Sequence, residues 1–234
     1  MKTIFATGAS RGIGLEWTRQ CLDRGYRLIA TCRDPEGAGE LNALGDAHAD
    51  RLEVLPLDVE DESSVNALFQ QLDQRNEAID LLFNNAGIMD WDDFKSVSAA
   101  AAEKTYKVNL VGALLVLRAA LPCLRRADSP VVANVSSRLG SIALRGDTQL
   151  GGAIAYQCSK AALNMLTKQA SIDLAADGIT VVSQTPGWVR TDMGGPNAKY
   201  SVEESVENML RHLENIGPEA NGKFLGEDGG EIPW

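Results

Sequence analysis

Residues 2–14 read KTIFATGASRGIG, and the fold is decided there. The run over 2–7 is apolar and β-branched, as in a buried strand. Gly8, Gly12 and Gly14 follow at once, and a helical pattern starts over 13–24 with Leu15, Thr18, Cys21 and Leu22 on one stripe. A strand that turns through glycines into a helix opens a βαβ unit. There the backbone can approach a pyrophosphate without a Cβ clash, and the helix N-terminus offers free N–H groups and a positive dipole end. The spacing is G-x-x-x-G-x-G rather than the G-x-G-x-x-G of the usual dinucleotide fingerprint, so the rest of the chain must supply the context.

The same alternation continues to the end of the chain. Strands are predicted over 27–32, 52–57, 79–83, 130–135, 179–183 and 223–225, and helices over 62–72, 99–126, 154–176 and 202–216. Apolar strands alternating with helices mean a parallel sheet covered on both faces. No linker, fixed-period repeat or low-complexity tract interrupts the 234 residues. The expectation is one doubly wound, Rossmann-type α/β domain over 1–234, with a substrate loop region at about 188–215.

Composition removes several function classes. Acidic residues number 32 against 22 basic ones, a net charge of −10 with no basic run, so nucleic acid is not an expected partner. The most apolar run, 110–121, is short for a bilayer and carries Arg118, so no membrane is expected either. Cys21, Cys32, Cys123 and Cys158 are scattered without a CxxC pair, and the first residues lack the ordered segments of a secretion signal. Both point to a reducing, cytoplasmic setting. His48 and His212 are the only histidines, too few for a His-based triad or a multi-His metal site, and no metal is expected.

The second strand ends in Cys32-Arg33-Asp34. A free ribose 2′-OH calls for a carboxylate at such a strand end, whereas a 2′-phosphate calls for a guanidinium. Arg33, with Arg11 in the glycine loop, would make a fork for phosphate, while Asp34 would suit a ribose hydroxyl; the balance favours NADP over NAD. Further along, Tyr156 and Lys160 stand at i and i+4 and share one face of a helix. An ammonium close to a phenol favours its anion and draws its pKa towards the working pH, as acid/base chemistry requires. Such a pair also arises by chance, and Ser136-Ser137, Asn84-Asn85 and Asn109 have ordinary readings as turn, cap and helix residues. Their joint occurrence at strand ends on one sheet edge is what points to a site.

Thr7-Gly8-Ala9-Ser10-Arg11-Gly12-Ile13-Gly14, Asn84-Asn85-Ala86-Gly87, Asn109, Ser136-Ser137, Tyr156-x-x-x-Lys160 and Pro186-Gly187 occur in one order over essentially the whole chain. This set resembles the short-chain dehydrogenase/reductase family. The segments 136–141 and 222–234 look more narrowly like C-factor-like and sniffer-type carbonyl reductases. The resemblance implies an NADP(H)-dependent oxidoreductase that acts on a ketone, an aldehyde or an alcohol. It implies Tyr156 as general acid/base, Lys160 as its activator and Ser137 as the hydroxyl that polarises the substrate. Asn109 would complete the set, positioning a water that links Lys160 to solvent. Cofactor contacts are implied for Gly8, Ser10, Arg11, Gly12, Ile13 and Gly14 in the glycine turn, for Arg33 after the second strand, for Asp58 at the adenine and for Val59 beside it. Asn85, Ala86 and Gly87 would lie along the adenosine ribose side, and Pro186, Gly187, Val189 and Thr191 at the nicotinamide, beside Tyr156 and Lys160. NAD-preferring members carry an acidic residue where this chain has Cys32, and members often pair into homodimers or homotetramers.

One spacing departs from the family. Ser137 and Tyr156 stand 19 residues apart, which predicts a lengthened loop over 138–153 and keeps Ser136 and Ser141 open as alternatives to Ser137. Met89, Trp91, Leu139, Trp188 and Met193 fall on loops after strands, where they would line a hydrophobic pocket or simply pack the loops down. Cys158 is expected to be passive and His212 solvent-facing. The alternative function is a dinucleotide-binding regulatory protein of C-factor type that acts through protein contacts.

Overall fold

The computed structural model describes residues 1–146 and 151–234. Seven strands join one sheet: β1 Thr3–Thr7, β2 Arg27–Cys32, β3 Leu52–Pro56, β4 Leu81–Asn84, β5 Val131–Val135, β6 Thr180–Gln184 and β7 Phe224–Leu225. Their order is β3-β2-β1-β4-β5-β6-β7, and each neighbouring pair is parallel. The order reverses between β1 and β4, so the carboxyl ends of these strands border a crevice.

The described helices are α1 Gly12–Asp23, α2 Gly39–Ala47, α3 Glu62–Gln74, α4 Ala99–Tyr106, α5 Ala113–Leu124, α6 Ile154–Asp173 and α7 Val202–Leu213. They cover both faces of the sheet. Alternation along β1 shows why: Ile4 and Ala6 join one apolar layer with Leu22 of α1 and Met209 of α7, while Phe5 joins the other with Phe69 of α3 and Val116 of α5. In the first layer the fully buried Trp17 stacks on Phe83 with ring centroids 3.8 Å apart. Local signals set the helix starts, since Asp61 caps α3 and Ser201 with Glu204 forms a capping box on α7.

Three elements differ from the sequence reading. The helix expected over 99–126 is three pieces, because a π-helical turn over Lys107–Gly112 separates α4 from α5. Gly112 lies so near Val59 that a Cβ there would meet it at 2.9 Å. The continuous stretch Ala99–Leu124, longer than the 110–121 run, is long and apolar enough to cross a membrane, with a hydropathy of 1.6. Half of it is buried inside this fold, and α5 supplies Leu115, Val116, Leu117 and Leu124 to the core. Helix α2 has no counterpart in the sequence reading: it buries only Leu41 and begins without a side-chain cap, so it leaves no apolar stripe to detect. Finally, α6 stops at Asp173, and a 3₁₀ turn over Ala175–Asp177 follows.

The Trp17–Phe83 stack carries a stability prediction. Trp17→Ala should lower the unfolding free energy by about 3–5 kcal/mol, measured by urea titration; a loss below about 1 kcal/mol would show that the ring is not a core anchor.

Candidate active site

A cleft of about 480 Å³ lies along the carboxyl edge of the sheet, lined by residues that follow β1, β2, β3, β4, β5 and β6. Its first wall is the glycine turn. Gly8 and Gly12 hold φ of +67° and +54°, the left-handed region that glycine enters without strain. A Cβ on Gly14 would fall 2.2 Å from the Gly8 carbonyl oxygen, so this glycine lets α1 sit directly on the turn. Arg11, before α1, makes no side-chain cap, which leaves the first-turn N–H groups without a side-chain partner, the condition for holding an anion. Asn85 ties the neighbouring wall to this turn, its Nδ2 donating to the carbonyls of Thr7 and Gly8 at 3.0 Å each.

Gly8, Ser10, Arg11, Gly12, Ile13, Arg33, Asp58, Val59, Asn85, Ala86, Gly87, Tyr156, Lys160, Pro186 and Thr191 all line the cleft. Among the described residues, Gly14, Asn109, Ser137, Gly187 and Val189 do not. Gly14 is spent on packing α1, Gly187 turns the chain at φ +78° against the Tyr200 ring, and Val189 bridges to Tyr200. The two arginines that line the cleft already face carboxylates, Arg33 with Glu60 at 3.9 Å and Arg11 with Asp192 at 3.7 Å. Both arginines are largely exposed, so these pairs are weak. Asp34, weighed above as a ribose partner, instead accepts from the Gly37 N–H at 3.1 Å in a tight turn. Glu60, Arg190 and Asp192 are cleft residues that sequence reading missed, although all three stand within two positions of residues it named.

Tyr156 and Lys160 are buried side by side in the first two turns of α6, with Lys160 Nζ 5.5 Å from the phenol ring centroid. That amine donates to the Val135 carbonyl at 2.7 Å.

The short chain dehydrogenase family pattern matches residues 2–201, most of the chain. The chain belongs to this family. Relatives include the C-signal of Myxococcus xanthus, 44% identical over 157 residues, which is 67% of this chain and 93% of that protein. A second is the 1-hydroxy-2-glutathionyl-2-methyl-3-butene dehydrogenase of Rhodococcus sp. (strain AD45), 33% identical over the full length of both. Among solved structures, the NADPH-bound carbonyl reductase from chicken fatty liver superposes with a TM-score of 0.95 at 37% identity, over 100% of this chain and 99% of that one. The carbonyl reductase Sniffer of D. melanogaster gives 0.94 at 32% identity over the full length of both. This short-chain dehydrogenase is therefore a nicotinamide-dependent oxidoreductase of the carbonyl reductase type.

The electrostatics differ from the expectation drawn for the Tyr–Lys pair. Burial pushes the Tyr156 phenol up to about 12, with a Ser137 hydrogen bond pulling the other way, and burial draws the Lys160 amine down to about 8. Desolvation governs both groups, and the amine is turned to the β5 carbonyl. The three serines separate cleanly. Ser136 lines the cleft and donates to Asn164 Oδ1 at 2.7 Å, Ser141 donates to the Pro233 carbonyl at 2.6 Å, and Ser137 is the serine whose hydroxyl draws the Tyr156 phenol downward.

Asn109 sits in the π-helical turn and braces the loop after β4. Its Oδ1 accepts from Ile88 N at 2.8 Å, and its Nδ2 donates to Ile88 O at 2.9 Å and to Ser159 Oγ at 3.0 Å. Both amide protons are thus used, and one Oδ1 lone pair remains. A Cβ on Gly87 would touch both that oxygen, at 3.4 Å, and Lys160 Nζ, at 3.6 Å. Of the apolar loop residues, Met193 lines the cleft, Met89 and Leu139 are half-buried, and Trp91 and Trp188 are more than half exposed. Cys158 presents an exposed thiol, and His212 is half-buried against Gly229 rather than solvent-facing. Of the loop over 138–153, residues 147–150 lie outside the described residues.

Lys160 makes stability depend on pH. Its folded pKa of about 8 lies below its ordinary 10.5, so between these values the unfolded chain binds more protons and stability rises with pH. The stability of wild type relative to Lys160→Met should therefore grow between about pH 8 and pH 10 by on the order of 1 kcal/mol or more, read from chemical denaturation. A difference that stays flat over that window would mean the amine is solvated.

Proposed function

We propose that the protein is an NADP(H)-dependent carbonyl reductase that interconverts a ketone or aldehyde with its alcohol. The observation that carries this reading is the buried Tyr156–Lys160 pair on the cleft wall. NADP suits the cleft because Arg11 and Arg33 line it, Asp34 is turned away, and the NADPH-bound chicken reductase shares the fold end to end. The glycine turn, with Ser10 and Ile13, would hold the pyrophosphate, Arg11 and Arg33 the 2′-phosphate, and Asp58 and Val59 the adenine. Asn85, Ala86 and Gly87 would follow the adenosine ribose, and Pro186, Gly187, Val189 and Thr191 the nicotinamide end. When bound, the cofactor supplies the hydride in reduction.

The chain's own residues handle the proton and the oxygen. Tyr156, held neutral by burial, donates its proton to the carbonyl oxygen as that oxygen gains charge. Ser137 hydrogen-bonds the same oxygen from a fixed position. The phenolate left behind is stabilised by the Lys160 ammonium, an attraction strengthened by the dry site. Asn109 keeps an acceptor for a water that passes protons from Lys160 outward. The exposed apolar side chains Val111, Leu114, Met165 and Ile172 on the π-helical turn, α5 and α6 support a homodimer or homotetramer. A cytoplasmic location agrees with the four free cysteines.

The likeness to C-signal favours one second reading, a regulatory protein that keeps the site and acts through protein contacts. Turnover separates the two. Wild type should oxidise NADPH with at least one member of a panel of ketones and aldehydes, and Tyr156→Phe should lose about a hundredfold or more of that rate. Tight cofactor binding with no turnover would favour the regulatory reading, and equal rates would remove Tyr156 from the chemistry. Arg33→Ala should weaken NADPH binding by about tenfold or more while barely changing NADH; equal losses would show that Arg33 does not read the 2′-phosphate.

A further inference from the structure

The segment over 224–234 has no place in the chemistry above, yet it is folded back onto the turn that carries Ser137. After β7 the chain reverses: Gly226 N donates to Gly230 O at 2.7 Å, Ile232 N to Phe224 O at 2.7 Å, and Leu225 bridges antiparallel to Glu231. The Trp234 ring stacks on Phe224 at 5.5 Å, which fixes the returning arm. Two grips then reach the serine turn. At the tip of the hairpin Glu227, whose side chain is only 14% exposed, accepts from Arg138 Nε at 3.0 Å, and Arg138 is the residue next to Ser137. On the arm, the fully buried Ser141 donates to the Pro233 carbonyl, and Ala143 N donates to Trp234 O at 2.9 Å. Between the grips, Ser137 Oγ accepts from Leu139 N at 3.2 Å and Gly140 N donates to Ser137 O at 2.8 Å.

We propose that this hairpin is a positioning element for Ser137, with Arg138 and Glu227 as its positioning residues. The proposal rests on the catalytic role given to Ser137 above. From α6, Asn164 also holds the turn, its Nδ2 donating to the Gly140 carbonyl at 3.3 Å. A serine hydroxyl that must reach both the phenol and a substrate oxygen tolerates little displacement, and misplacement by about 1 Å can cost on the order of a hundredfold in rate. Glu227 also packs against Gly187, where a Cβ would stand 3.3 Å from its own, so the hairpin links the serine turn to the start of the loop after β6.

Arg138→Ala and Glu227→Ala test this against wild type with three readouts: hydrogen–deuterium exchange over 137–141, steady-state NADPH oxidation, and NADPH affinity with melting temperature. Exchange over 137–141 should rise and kcat should fall by about tenfold or more, while NADPH affinity and melting temperature stay near wild type. Arg138→Lys, which keeps a cation for Glu227, should restore most of the loss. Unchanged exchange would overturn the grip, and raised exchange with unchanged kcat would overturn the positioning role. So would a kcat loss that only follows a fall in melting temperature and cofactor binding. If wild type reduces no carbonyl, the carbonyl reductase reading fails, and the exchange comparison still decides whether the hairpin holds the turn.

Discussion

The docking of α6 on β5 is the constraint from which the candidate site follows. The Lys160 ammonium reaches across to the Val135 carbonyl, and the serine turn approaches so closely that a Cβ on Gly140 would lie 2.8 Å from Lys160 backbone and side-chain carbon atoms. Below, a buried chain of amides and hydroxyls runs from Asn84 on β4 to Asn134 on β5, then to Thr167 on α6, which also accepts from Ser183 on β6. Asn164 adds a second tie, accepting from Ser136 and donating to the Gly140 carbonyl. Polar groups this deep are costly unless paired, and pairing them fixes one register of helix on sheet.

That register sets the electrostatics. Removing Tyr156 and Lys160 from water favours the neutral form of each, so the cleft holds a phenol reluctant to ionise beside an amine ready to lose its proton. A neutral phenol is a proton donor, which suits reduction of a carbonyl. The reverse direction needs positive charge near the phenol, which the Lys160 ammonium and an oxidised nicotinamide would supply. The acidic surface and the weak Arg11–Asp192 and Arg33–Glu60 contacts leave the two guanidinium groups free to exchange partners for a phosphate at little cost.

The strand–helix alternation, the glycine turn and the Tyr–Lys spacing were legible in the sequence because each rests on local periodicity or a fixed offset along one element. Fifteen of the residues that the family resemblance singles out line the cleft, where residues after parallel strands converge on one edge. What the sequence could not disclose depends on three-dimensional packing. The π-helical turn at Asn109 obeys no apolar period, and α2 buries a single leucine. The partners that distinguish Ser136 and Ser141, Asn164 and Pro233, lie far along the chain. The downward shift of Lys160 and the upward shift of Tyr156 follow from burial, which residue spacing does not encode.

The pH dependence of kcat in both directions addresses proton transfer by Tyr156 most directly. Across about pH 6 to 10, carbonyl reduction should stay nearly flat because the buried phenol keeps its proton, while alcohol oxidation should rise, as one group must be protonated for the first and ionised for the second. Profiles that are flat in both directions, or that break near about 6.5 as for an ordinary imidazole, would contradict the account.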